Sequence, residues 1–447
     1  MIADMKLTRQ YFDVKNVVFG EKCAYDRDNG LLTVNEQELI DMCKDDLFTS
    51  IKGFKLEITK PNEDCRIIHV LDTLCPMYKI DGGFDGDHDG QQYSGYFSTP
   101  FACGRGVTNM YRNFSIIESA AIPWQEENVF LYPRDAIIEL DGEFAGYTPF
   151  HDMYNLVIVY DMVEGKTSEE YDNDIRLIAI RISNYLASLT AELVPDDTEV
   201  FSLEEENPDL PGVVFVWHSQ NQGTFSNTHL YGVEISNMVP TILHPNEMLD
   251  GCVVSGNFVW PAFKVCTYLY CNHPIIMELY KRHGKDINFK GVIFARSHQP
   301  STWHKHRQAQ MNIKLAQTLG ADGLVMAWEG GGNACVDGML TIQHAEKVGI
   351  KCSTVTFEFG GTDGTEGLLL VADDPAADCV ISGGSIERSM TLQPRKRAVG
   401  GPCFRLNKES GGRFPSSTDE VVELENRTHM YLSGNQCAYS KMTAEAY

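Results

Sequence analysis

From Gly212 onward the chain repeats one pattern, and that pattern limits the folds open to it. Continuous apolar runs recur at 213–217, 291–295, 323–328, 353–357 and 379–381. Stretches of helical periodicity lie between them, over 273–283, 302–319 and 334–348. A strand that is apolar throughout needs cover on both faces. Alternation with helices therefore predicts α/β architecture: a parallel sheet flanked by helices over 212–400.

The first half reads differently. Residues 54–150 alternate apolar and polar side chains and are broken often by Gly, Pro and Asp, the pattern of a β-rich module. The clearest helix covers 167–194, where Ile175, Ile178, Ile182, Tyr185, Leu186 and Leu189 recur at helical spacing. A shorter one starts near Asn35, which can cap it, with Glu38 at the capping-box spacing. Residues 1–205 thus read as a mixed, β-rich α+β N-terminal domain. The acidic, Pro-marked segment 195–211 reads as a linker. Residues 401–447 lose the rhythm and read as strands, loop and tail.

Charge excludes some functions. The chain of 447 residues carries 62 acidic against 37 basic side chains, a formal net charge of −25. Nucleic acid and anionic membrane are poor partners for such a surface. No apolar run is long enough to span a bilayer and no secretory h-region opens the chain, so a cytoplasmic location is expected. The 13 cysteines are dispersed with no CxxC pair, which reads as reduced, packed thiols.

In an open parallel sheet, ligands bind beyond the carboxyl ends of the strands. Here those ends carry Gln220 and Gln222, then Glu329-Gly330-Gly331-Gly332-Asn333, then Glu358 and Asp363, then Ser382-Gly383-Gly384. Asn333 can cap a helix from Ala334, whose free N–H groups favour an anion. The glycine-rich loop lacks the dinucleotide fingerprint, and there is no P-loop. Asp85-Gly86-Asp87-His88-Asp89-Gly90 mimics a calcium loop, but Tyr96 stands where a bidentate Glu is needed, so a solvated turn is expected. His304 and His306 cannot share a metal from a helix, where they point apart. No metal is expected.

One stretch carries a family resemblance. Asp250-Gly251-x-x-x-Ser255-Gly256-Asn257 resembles the processing region of the component B proprotein of glycine, sarcosine and betaine reductases. Collinear matches extend from Val18-x-Gly20-Glu21-Lys22 through Tyr147-Thr148-Pro149-Phe150 to Glu329-Gly330-x-Gly332-Asn333 and Asp363-Gly364. The resemblance implies anaerobic amino-acid fermentation and cleavage after the Asn, with the following Cys becoming a pyruvoyl group. It further implies a selenocysteine-containing subunit that displaces the amine, a small carrier selenoprotein and a thioredoxin-like reductant. Here Phe258 occupies the Cys position and Ala262 that of a second family Cys. Phe258 has no nucleophile with which to attack the preceding carbonyl. Cys252, Ser255, Cys266 and Cys271 lie nearby, but packing is the expected role of each.

The expected protein is an uncleaved component B-like subunit without a pyruvoyl cofactor. It would bind a small amino-acid-derived or quaternary-amine substrate for displacement by a partner selenolate or thiolate. Gln220, Gln222, Glu329, Asn333, Glu358 and Asp363 would recognise the substrate, with Phe258 and Trp260 as a cation–π wall. The alternatives are a non-catalytic structural or regulatory subunit, or a reductase acting on a non-amine leaving group. Intact-mass spectrometry should record one polypeptide of 50.1 kDa that does not label with hydrazine. Two fragments split near Asn257, or a hydrazone, would overturn the uncleaved reading.

Overall fold

The computed structural model describes residues 5–82, 90, 92–97, 99–101, 103–123, 135–220, 227–256, 260–361, 375–377, 379–408 and 412–440. The apolar runs of the second half assemble into one six-stranded sheet. Its strands are β1 (Gly212–Ser219), β2 (Thr241–Leu243), β3 (Asn288–Arg296), β4 (Gly323–Trp328), β5 (Lys351–Glu358) and β6 (Val380–Ser385). They lie in the order β2-β3-β1-β4-β5-β6. All neighbours run parallel except β2, which is antiparallel to β3. The sheet is therefore mostly rather than wholly parallel. The short β2 closes an edge that would otherwise expose unpaired backbone groups.

Side-chain alternation divides the two faces of this sheet. Val214, Val216, Leu324, Met326 and Trp328 share a core with Ala334, Met339 and Ile342. Phe215, Trp217, Ala327 and Val355 enter a larger core shared with the N-terminal strands. The first face is covered by two helices, Thr302–Thr318 and Asn333–Lys347. Asn312 of the former reaches His218 Nε2 at 2.9 Å. Gly338 of the latter lies so close to the Trp328 ring that a Cβ would come within 2.7 Å of it.

The first half builds two four-stranded sheets. Leu7–Asp13 pairs with Gly106–Arg112, which also pairs with Met77–Asp81. Phe114–Ala120 pairs with Tyr154–Met162 and Val70–Leu74, and Ile51–Thr59 completes that sheet. The helix Ser168–Ser188 (α1) opens with a full capping box between Thr167 and Glu170. Helices Thr302–Thr318 and Asn333–Lys347 are α2 and α3. Asn35 caps Glu36–Met42 by accepting from Glu38 N, but the Glu38 carboxylate turns away to Cys23 N and Tyr185 OH.

The 195–211 segment is not wholly a linker. Asp197–Phe201 is a strand, antiparallel to Leu7–Asp13. It is a mostly exposed edge strand, so its charged side chains hide it from a hydrophobic pattern. Near the other end of the chain, Arg397–Val399 pairs with Cys65–Ile68 of the first half. Residues 83–89, which hold most of the calcium-like loop, lie outside the described residues. No helix among the described residues is long and apolar enough to cross a membrane.

A Gly338→Leu substitution should force α3 away from Trp328 and cost about 1–3 kcal/mol. Urea unfolding of parent and variant, compared at constant m-value, checks this; an unshifted midpoint would contradict the close approach.

Candidate functional site

The carboxyl ends of β1, β4 and β5 form the candidate site, and the described candidates take different places around it. Glu329 follows β4 and is fully buried. One carboxylate oxygen accepts from Val265 N at 2.6 Å. The other accepts from Ser219 Oγ and Gln220 N, both at 2.8 Å, and from Tyr270 OH at 2.9 Å. Burial pushes its pKa up to about 7, and these four bonds oppose that rise. Glu329 thus ties the end of β1 to the segment 265–270. Its acceptor sites are taken by the protein itself.

Gln220 is buried; its backbone serves Glu329 while its Oε1 has no partner. Glu358 is 5% exposed, and its Oε2 also has no partner. Asn333 does not cap the helix as expected. It is itself the first residue of α3, whose N-cap is Gly332, with no side-chain cap bond. The Asn333 side chain instead donates to Gln299 O at 3.4 Å, and its carbonyl accepts from Lys305 Nζ at 3.1 Å. Trp260 packs edge-on against Phe263, with centroids 4.9 Å apart, and Phe263 stacks on Phe357 at 4.6 Å. Gln222, Phe258 and Asp363 lie outside the described residues.

The edge therefore has two faces. Glu329 is level with Ser219 and Phe357 and shares their face. Glu358, one residue beyond Phe357, alternates to the α2–α3 face. The register does not bring the two carboxylates together on one face.

Sequence reasoning missed several neighbours. Gln436 comes from a stretch that reads as tail, yet its Nε2 reaches Gly330 O at 3.5 Å. Leu432 N donates to Pro261 O and Gly434 N to Ala262 O, so this C-terminal segment lies over the edge. His298 also adjoins Gly330: a Cβ on Gly330 would come within 2.4 Å of His298 Nε2. No local pattern marks Gln436. His298 stands in the stretch 297–307, which is rich in histidine and basic in an acidic chain, and that composition is its local signal.

The Asp250–Gly256 motif is held by buried charges. Asp250 pairs with Lys79 and accepts from Thr108 Oγ1 and Gly104 N, both at 2.7 Å. Gly251 adopts φ +85° against Tyr93, a conformation that favours glycine. Ser255 O accepts from Arg176 Nη1 at 3.2 Å, and Gly256 O accepts from Lys264 Nζ at 2.8 Å. Lys264 pairs with Asp72 at 3.1 Å, and Arg176 with Asp172 at 2.9 Å. Nearby Glu118 is pushed well above its ordinary range by burial and by the Asp72 carboxylate. Cys252, Cys266 and Cys271 are buried, and desolvation pushes each thiol far up. None is poised as a thiolate.

No group of three or more potential metal ligands occurs among the described residues. His304 and His306 lie on α2 and find different partners, Ser301 Oγ at 2.7 Å and His344 Nε2 at 3.4 Å.

A family model for the glycine/sarcosine/betaine reductase component B subunits matches residues 5–445. The chain belongs to this family. It is 31% identical to the glycine reductase complex component B subunits alpha and beta of Acetoanaerobium sticklandii, over 97% of this chain and 98% of that relative. It is 34% identical to the sarcosine reductase complex component B subunit alpha of Peptoclostridium acidaminophilum, over 85% and 86% respectively. For the betaine reductase complex component B subunit alpha of the same organism, identity is 32% over 89% and 88%. No solved structure matches this chain. In this component B family member, the buried charges described above lie directly before Asn257.

The raised Glu329 pKa has a definite consequence for stability. An unfolded Glu loses its proton near 4.5, whereas Glu329 in the fold keeps it to about 7. Between these values the folded state binds more protons, so stability falls as pH rises. Glu118 adds a slope of the same sign. Glu329→Gln should lower stability at every pH, since its amide faces donors, and should remove roughly 3 kcal/mol of the pH-dependent change between pH 4.5 and 7. Urea titrations across that range check it; an unchanged slope in the variant would refute the assignment.

Proposed function

We propose that this component B family member binds a small amine at the carboxyl edge of its parallel sheet. A partner selenolate or thiolate then displaces the amine reductively. The observation that carries this reading is the match to the glycine relative, over 97% of this chain and 98% of that relative. A subunit of that extent accounts for the substrate-binding half of such a complex. With Phe258 in the position of the pyruvoyl precursor, the chain itself contributes recognition and positioning.

The chemistry needed from this chain is modest. It must hold the ammonium and orient the α-carbon toward the partner's nucleophile. It must also hold the amine in its protonated form, so that nitrogen takes the C–N electron pair and departs as neutral amine. Effective molarity gained by such positioning is a large part of enzymatic rate enhancement. The electrons come from the partner's reductant. The buried, partner-free carboxylate oxygen of Glu358 suits a cation. The neutral acceptor Gln220 Oε1 suits an N–H donor.

A second reading, that of a structural subunit of the same complex, is favoured by two observations. All four donors on Glu329 come from the protein. Trp260 packs within an aromatic cluster. Under this reading the sheet edge is an assembly surface.

The purified chain should release no amine alone. It should do so when a thiolate- or selenolate-bearing partner and a dithiol are added. Amine release by the chain alone would contradict the division of labour. A complex that assembles but turns over no amine would favour the structural reading.

A further inference from the structure

Polar side-chain atoms that are buried are nearly always hydrogen-bonded, so each exception needs an explanation. Four exceptions gather around Gly330: His298 Nε2, Gln220 Oε1, Glu358 Oε2 and Gln436 Oε1. His298 and Gln436 adjoin Gly330 directly, one at its Cα and the other at its carbonyl. Gln220 and Glu358 come from the ends of the two strands that flank β4. Gln220 directly follows β1, and its N–H donates to the carboxylate of Glu329, the residue before Gly330. Glu358 ends β5, the strand that pairs with β4 on its other side. Alternation along β5 sends Glu358 to the face opposite Phe357, and His218, two residues before Gln220, meets Asn312 of α2.

The backbone at His298 supports a role beyond packing. Its φ is +56°, in the left-handed region that a non-glycine residue adopts only at a cost. The surroundings impose it. Arg296 Nη2 donates to His298 O at 3.0 Å, and Gln299 N donates to Asp337 Oδ2 at 3.1 Å. Asp337 is held in turn by Lys305 at 2.8 Å, in an ion pair whose side chains are 0% and 8% exposed. Strain that neighbouring structure over-determines in this way clusters at functional sites. Gly330, at φ +88°, leaves the imidazole the space that a Cβ would fill. Burial lowers the His298 pKa to about 4, so the ring is neutral at pH 7.

Three of the four atoms are oxygens that can only accept, and one of these is a carboxylate oxygen. The set is therefore matched to a ligand that is cationic and carries several N–H donors. We propose that His298, Gln220, Glu358 and Gln436 form the ammonium subsite of this chain. It selects primary and secondary amines over quaternary ones. A trimethylammonium group has no N–H and would leave all four atoms unsatisfied, at a cost in affinity. This proposal rests on the amine-binding reading above and narrows its substrate class. It also places His298 and Gln436 in the site.

The test is calorimetry on the full chain with glycine, N-methylglycine and N,N,N-trimethylglycine, which carry three, two and no ammonium N–H groups. Affinity should fall along that series. His298→Asn keeps a residue that tolerates the left-handed backbone, so the variant should fold, as circular dichroism and an unchanged or raised Tm would verify. It and Glu358→Gln should each weaken binding of the N–H-bearing ligands about tenfold, the equivalent of one hydrogen bond. Parent binding that is tightest for the trimethyl ligand would overturn the subsite. So would variants that bind as tightly as the parent, although the amine-binding reading would then survive. If the parent binds none of the three, both with and without the partner subunit, the amine-binding reading fails and the subsite with it.

Discussion

A buried ammonium, that of Lys264, anchors the centre of this fold. It is 3% exposed and is surrounded by two backbone carbonyls and the Asp72 carboxylate. Taking such charges out of water costs several kcal/mol each, and only close pairing and full hydrogen bonding offset that cost. The partners come from far apart in sequence. Asp72 lies on the strand Val70–Leu74. Arg176 and Asp172 lie on α1. None of these elements can shift without stranding a charge. The network therefore fixes how the first half meets the Asp250–Gly256 segment.

A second buried carboxylate extends this framework to the sheet. Glu329 gathers donors from 219, 220, 265 and 270. The segment leaving Lys264 is thereby fastened to the ends of β1 and β4. One face of the sheet edge is closed by protein–protein hydrogen bonds and an aromatic stack. The other, which carries Glu358, retains a carboxylate oxygen with no protein partner. The same strand ends thus serve two purposes, and the two-residue period of a β-strand separates them. The C-terminal segment crosses this edge, and Gln436 from it reaches Gly330.

Two readings of the sequence were altered by these facts. Glu329 and Glu358 look equivalent in sequence, each a carboxylate just beyond an apolar run. Register places them on opposite faces, and only Glu358 keeps an oxygen without a partner. Asn333 looks like a helix cap. The turn through Gly332, at φ +56°, starts the helix one residue earlier and leaves Asn333 inside it. In both cases a one-residue offset decides the role.

By itself, the sequence determined the elements whose signal is local. The apolar runs of the sheet, the long amphipathic α1 and the Asn35 cap depend on neighbours within a few residues, so their periodicity is readable directly. The Asp250–Gly256 motif and the collinear matches also placed the chain in its family, because covalent order survives without any knowledge of contacts. Only the tertiary structure decided which polar residues are satisfied. The donors to Glu329 are up to 110 residues away, and Gln436 lies 106 residues from Gly330. The edge strand Asp197–Phe201 likewise owes its existence to pairing with Leu7–Asp13 rather than to its own composition. Hydrogen-bond satisfaction depends on distance in space, and a linear pattern carries no distance between residues so far apart.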